Sequence, residues 1–170
     1  MARLVQVSHL PFLHMAIDKK NPLLIIEDSD EDFEILQILM EDMNVTHPIY
    51  RCKTGDTALD FMSKCKAASA TESTLLPSII LLDLNLPGVD GREVLERVKQ
   101  DEQLRTIPVV VFTTSSDQTD IKYCYQQGAN GYLIKPVSIE LLERKVQAFV
   151  DYWLGENASI DWNGINILVP

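Results

Sequence analysis

Five side chains able to act together stand at the ends of β-prone aliphatic runs. Glu27 and Asp28 follow Leu23 to Ile26, Asp83 follows Ile79 to Leu82, Thr113 follows Val109 to Phe112, and Lys135 follows Tyr132 to Ile134. Three carboxylates crowded together repel, so either one of them gains a raised pKa or the group takes up a hard divalent cation through its oxygens. Mg²⁺ suits a few carboxylates with water and a phosphate oxygen, which leaves Asp83 an oxygen free to attack phosphorus. The charge that gathers on the three equatorial phosphoryl oxygens then calls for a cation and a hydrogen-bond donor, the groups that Lys135 and Thr113 offer. Singly, each residue has an ordinary structural use. The acidic run Glu27, Asp28, Asp30, Glu31, Asp32 suits a solvated helix N-terminus, Asp83 a turn, Thr113 a cap and Lys135 a surface charge. Their joint placement at four strand ends is what points to phosphoryl transfer.

Positioning them requires a sheet whose strands all end on one side. Leu23–Ile26 reads as a strand followed by an acidic loop and a helix carrying Leu36, Leu39, Met40 and Met43, with Ser29 and Asp32 spaced for a capping box. His47–Cys52 is a weaker, polar-interrupted strand suited to a sheet edge, and Gly55–Lys66 a helix with Leu59 and Met62 inward. Ala67–Leu76 is small and polar and reads as a loop. Ile79–Leu82 is apolar throughout, as a strand buried on both faces should be, and leads through Pro87, Gly88 and Gly91 into a helix over 92–100 with Val94, Leu95 and Val98 on one face. Pro108 introduces Val109–Phe112, a helix from Gln118 stops at Gly128, and a short fifth strand, Tyr132–Ile134, precedes a last helix capped by Ser138 with the stripe Leu142, Val146, Phe149, Trp153.

Five strand and helix pairs in alternation imply an α/β fold, a doubly wound five-stranded parallel sheet of flavodoxin-like order 2-1-3-4-5. In such a sheet, sites lie outside the carboxyl ends of the strands where the order reverses, between the first and third strands. Every strand end except that of the edge strand offers a reactive group there.

A net charge of −10 argues against binding a nucleic-acid backbone. No apolar run reaches the roughly 18 to 20 residues of a membrane span, and residues 1–20 lack the unbroken apolar stretch of a signal peptide. Cys52, Cys65 and Cys124 are odd in number and far apart, which suggests neither disulfides nor a metal knuckle and fits a reducing cytoplasm. The organisation expected is an N-terminal extension over 1–22, a domain over 23–153 and a tail over 154–170. Met15 opens a shorter chain, so residues 1–14 are either upstream of the true start or a loosely ordered arm.

The pieces LLIIED, LLDLNLPGVDG, IPVVVFTTSS and GANGYLIKPV, in this order and spacing, resemble the receiver domain of two-component response regulators from about Leu23 to Trp153. That resemblance implies Asp83 as phosphoacceptor, Asp28 as a direct Mg²⁺ ligand and Glu27 as a second acidic member acting through water, where many relatives carry aspartate. It implies the Asn85 backbone carbonyl as a further ligand, Thr113 and Lys135 on the phosphoryl group, Tyr132 as the aromatic switch that follows Thr113, and a cis peptide between Lys135 and Pro136. The same resemblance implies that Asn85 and Ser115, two positions beyond Asp83 and Thr113, tune phosphoryl lifetime.

LLDLNLPGVDGREVLERVKQD, the Lys-Pro-Val close, a helix ending YWL and a terminal Leu-Val-Pro are also similar to small stand-alone regulators that serve phytochrome histidine kinases, although Gly155–Ile167 is longer than their usual tail. The function implied is a phosphorylation-controlled switch with no output domain of its own. A histidine kinase phosphorylates it, and a downstream protein reads a surface formed by the fourth helix, fifth strand and last helix. Ile121, Tyr125, Tyr132 and Phe149–Trp153 are the surface candidates, with pairing of two copies through them, while Ile121 and Phe149 read equally well as core. A haloacid-dehalogenase-type phosphatase would carry a general-acid aspartate two residues after the nucleophile, where this chain has Asn85. A flavodoxin-like cofactor binder would need a phosphate-cradling loop where EDSDED repels phosphate, and a phosphorylation-independent scaffold would not need every reactive position filled.

Overall fold

The computed structural model describes residues 21–67 and 76–155. The expectations for Met15 and the arm before it, for most of the Ala67–Leu76 loop and for the tail beyond Gly155 fall outside these residues. The elements alternate strictly: β1 (Leu23–Ile26), α1 (Asp30–Asp42), β2 (Ile49–Cys52), α2 (Gly55–Ala67), β3 (Ile79–Leu82), α3 (Gly91–Gln100), β4 (Val109–Thr113), α4 (Gln118–Gln126), β5 (Gly131–Ile134) and α5 (Ile139–Phe149), the last prolonged by a π turn over Val150–Leu154. The strands pair in parallel in the order β2-β1-β3-β4-β5. Fold class and strand order are those expected.

The alternation of side chains along a strand sorts the central strands into two cores. Leu24, Ile26, Ile80, Leu82, Val109 and Val111 face α2, α3 and α4, where they meet Ala58, Met62, Val94, Leu95, Val98 and Cys124. Leu23, Ile25, Ile79, Leu81, Val110 and Phe112 face α1 and α5, meeting Leu36, Met40, Val146 and Phe149. β1, β3 and β4 are buried on both faces, whereas β2 at the edge is half-covered, with Tyr50 exposed. All three cysteines are free and buried, and among the described residues no helix is long and apolar enough to cross a membrane.

Local signals set most helix ends. Ser29 Oγ accepts from Asp32 N, Asp90 from Arg92 N, Asp117 from Thr119 N and Ser138 Oγ from Leu141 N. Gly128, at φ +92°, takes the left-handed turn that ends α4. The capping box at α1 forms only in half. The Ser29 N–H goes to Glu27 Oε1 at 3.2 Å, and the Asp32 carboxylate turns instead to Lys135 Nζ at 2.8 Å, since a buried ammonium is a stronger partner than a backbone amide.

Two further expectations are corrected. No cis peptide occurs among the described residues, so Lys135–Pro136 is trans. Lys135 N donates to Thr113 O at 2.7 Å, which extends the β4–β5 ladder, and the side chain reaches the carboxylates from that position. Among the surface candidates, Val150 belongs instead to the α5-side core, and so does Phe149, in agreement with its core reading. The π turn adds a residue to the helical period, which buries Val150 and Leu154 and leaves Trp153 half-buried. Tyr125 and Tyr152 are exposed, and Ile121 and Tyr132 are half-buried.

Candidate functional site

The parallel ladder brings the four expected strand ends together. Asp83 leaves β3 with its N–H still bonded to Ile26 O of β1 at 2.9 Å, so the adjoining ends of β1 and β3 are held side by side. Carboxylate oxygens of Glu27, Asp28 and Asp83 lie within 4.8 Å of one another. Glu27 and Asp83 are buried and Asp28 is exposed, so the cluster opens to solvent at Asp28. All three ligand atoms are hard oxygens and one side is accessible, the donor set that suits Mg²⁺ or Mn²⁺.

Lys135 lies at the centre of this charge. Its Nζ donates to Glu27 Oε2 at 2.6 Å, Asp83 Oδ2 at 2.7 Å and Asp32 Oδ2 at 2.8 Å. Burial works against the ammonium, but its bonds to Asp32, Asp83 and Glu27 outweigh this and hold its pKa above the ordinary value. Burial pushes the Glu27 carboxyl up, with the bond to Lys135 only partly opposing it.

Asp83 Oδ1 accepts from Asn85 N at 3.1 Å. The Asn85 amide reaches the hydroxyls of Thr113 and Thr114, each at 3.4 Å, which links the loop after Asp83 to the end of β4. Thr113 is fully buried, and its Oγ1 also accepts from Ser115 N at 3.4 Å. Tyr132 OH donates to Ser115 O at 3.1 Å. Lys135 and Asn85 are therefore bonded to Asp83 directly, Glu27 is linked to it through Lys135 and Thr113 through Asn85, Asp28 lies close by, and Tyr132 reaches Thr113 through Ser115.

Three supports were not legible in the sequence. Asp32 shares Lys135. Arg51, on the edge strand, grips the Glu27–Asp30 loop. Arg92, the second residue of α3, meets both oxygens of Asp120 at 2.8 and 2.6 Å and also Asp90, while Asp120 accepts from Ser115 Oγ at 2.6 Å. Apart from Arg92–Asp90 and Ser115–Asp120, these contacts span from 21 to 103 residues of sequence, beyond the reach of any local pattern. The loop after Asp83 also rests on α2. Val89 N donates to Asp56 Oδ2 at 3.1 Å, Gly88 stands at φ +75°, and a side chain at Gly55 would lie 2.2 Å from Val89 O.

Arg92, and secondarily Ser115, hold the Asp120 carboxyl below its usual range. A carboxyl that titrates lower in the folded state than at its unfolded value of 3.8 contributes fully above that pH and loses its contribution as pH falls through the folded value. Asp120→Asn is expected to cost about 1.5 kcal/mol near neutral pH. In urea denaturation the gap to wild type should close on acidification. A gap that persists well below the folded value would contradict this assignment.

A doubly wound sheet that gathers acidic residues, a threonine and a lysine at one edge defines a receiver-type module. The chain belongs to the response regulator receiver domain family, which matches residues 23–147. It is 40% identical over 137 residues to the probable methanogenesis regulatory protein FilR2 of Methanothrix harundinacea, covering 81% of this chain and 86% of that one. It is 36% identical over 140 residues to the response regulator Rcp1 of Synechocystis, covering 81% and 93%. A Mn²⁺-bound crystal structure of Rcp1 superposes with a TM-score of 0.73 at 34% identity, covering 82% and 98%. The phosphorylated cyanobacterial phytochrome response regulator RcpA superposes with a TM-score of 0.72 at 31% identity, covering 81% and 96%.

Proposed function

We propose that this receiver is a phosphorylation switch that accepts a phosphoryl group on Asp83 from a histidine kinase. The observation that carries the proposal is the seating of Asp83 Oδ2 on the Lys135 ammonium, with oxygens of Glu27 and Asp28 within 4.8 Å. Asp83 attacks phosphorus, the bond between phosphorus and the imidazole nitrogen breaks, and the imidazole takes up a proton. Lys135 meets the charge on the transferred group, and Thr113 turns its hydroxyl toward a phosphoryl oxygen. Glu27, Asp28, Asp83 and the Asn85 carbonyl would hold Mg²⁺, which would supply neutralisation of the negative charge at the site. The relation to RcpA and Rcp1 supports a phytochrome-type kinase as the donor.

Phosphorylation adds about 1.5 to 2 negative charges at Asp83. The movement of Thr113 is passed through Ser115 to Tyr132 and α4, and the face formed by α4, β5 and α5 pairs two copies or meets a downstream protein in the cytoplasm. Asn85 carries no acid proton, so the protein turns over no substrate and keeps its phosphoryl group for a partner to read. Incubation with a small acyl phosphate and Mg²⁺, followed by intact mass, tests this. One phosphoryl is expected on wild type, and none after chelation or on Asp83→Asn. No gain on wild type, or an equal gain on the variant, overturns the proposal.

A further inference from the structure

β2 is the strand whose end contributes no reactive group to the site, yet Arg51 on it is nearly buried, its side chain 14% exposed, and its donors converge on the loop that presents two of the carboxylates. Nε donates to Glu27 O at 3.0 Å, one terminal nitrogen donates to Asp28 O at 3.0 Å, and the other pairs with Asp30 Oδ1 at 2.5 Å. The guanidinium lies over the Phe33 ring, 4.6 Å from its centroid. The Glu27 N–H is already fixed by Cys52 O at 3.0 Å, so β2 binds this turn through both its donor and its acceptor sides.

A loop leaving a strand is ordinarily free to tilt its carbonyls, and each tilt moves the attached carboxylate. Here one rigid planar fork spans two consecutive carbonyls and a carboxylate, which a single ammonium cannot do. Asp30 balances the charge that the fork brings near the cluster, and Lys53 Nζ, 2.6 Å from Asp30, shares it. We propose that Arg51 is a positioning residue for the cation site: it fixes the main chain of Glu27 and Asp28, and thereby the spacing of their oxygens, from a strand that offers the cation no ligand. The inference rests on the assignment of Glu27, Asp28 and Asp83 as that site.

The test is a titration of the full chain with Mn²⁺, with free ion read by electron paramagnetic resonance and folding checked by circular dichroism. Arg51→Met, which keeps an unbranched apolar side chain beside Phe33 but no guanidinium, should weaken Mn²⁺ binding about tenfold, the scale on which outer partners of metal ligands act. Arg51→Lys keeps the charge but loses the fork and should be weakened similarly, which also covers the case in which the methionine variant does not fold. Lys53→Ala should stay within about twofold of wild type, by the same comparison. The Mg²⁺ concentration for half-maximal phosphorylation should rise in both Arg51 variants, with the rate at saturating Mg²⁺ preserved. Wild-type affinity in a folded Arg51 variant overturns this inference alone. No Mn²⁺ binding by wild type overturns the cation-site assignment and the inference with it.

Discussion

Lys135→Met is expected to lower the folding free energy by about 3 kcal/mol in the absence of divalent cation. The size follows from what the substitution leaves behind. Glu27 and Asp83 are 2% and 6% exposed, and each gives one oxygen to the same ammonium, as does the more exposed Asp32. Methionine fills the space beside Phe112 that the lysine stem occupies, so the loss is one of charge neutralisation rather than volume. Removing one partner from a buried ion cluster costs far more than the cluster contributes, because the surviving charges stay desolvated. Mg²⁺ should then stabilise the variant more than the wild type, since it neutralises the same oxygens without displacing an ammonium. Urea denaturation with and without Mg²⁺ measures both effects. A wild-type midpoint, or an unchanged Mg²⁺ response, would show that Lys135 does not neutralise this cluster.

Gly91→Ala is expected to cost about 3 kcal/mol, at the upper end of what overpacking usually does. A Cβ at this position would lie 2.1 Å from Asp83 O and 2.6 Å from Leu84 Cα. Both are main-chain atoms, so neither can rotate away. Gly91 N donates to Leu84 O at 2.9 Å, and α3 therefore starts directly against the backbone that carries Asp83. Relief requires that α3 or the β3 end move, so phosphoryl uptake by Asp83 should slow along with the loss of stability. Gly131→Ala supplies the comparison: its Cβ would meet only Val110 methyls at 3.4 and 3.6 Å, and its cost should stay below about 1 kcal/mol. If the two variants unfold at the same urea concentration, the close approach at Gly91 is not what requires a glycine.

The sheet and the residues gathered at the candidate site were legible in the sequence for a simple reason. Each central strand is a continuous aliphatic run, and the residue that ends it is chemically unlike the run, so strand end and reactive group could be read from the same few positions. Parallel topology then fixed which ends share an edge. The stripe Leu142, Val146, Phe149, Trp153 was read correctly, since all four pack on the α5-side core, but its period missed that the π turn at Val150–Leu154 buries Val150 and Leu154 as well. Asp32 looked like half of a capping box because its distant partner, Lys135, leaves no trace near it in the chain. Arg51 and Arg92 were silent for the same reason: a guanidinium in a polar-interrupted strand or on a helix start has no local signature for the loop it will hold.

The two loops that carry the candidate site lean on the same neighbour from opposite sides. Arg51 of β2 holds the carbonyls after β1, and Asp56 of α2 holds the Val89 amide after β3. β2 lies at the rim of the sheet with one flank unpaired and only one of its four residues buried, so its hold on both loops comes from the less protected side of the fold. Loosening of β2 and α2 would remove both supports at once, and with them the part of one core built by Cys52, Ala58 and Met62. The assembly of the carboxylates is thus tied to how firmly the rim of the sheet is held.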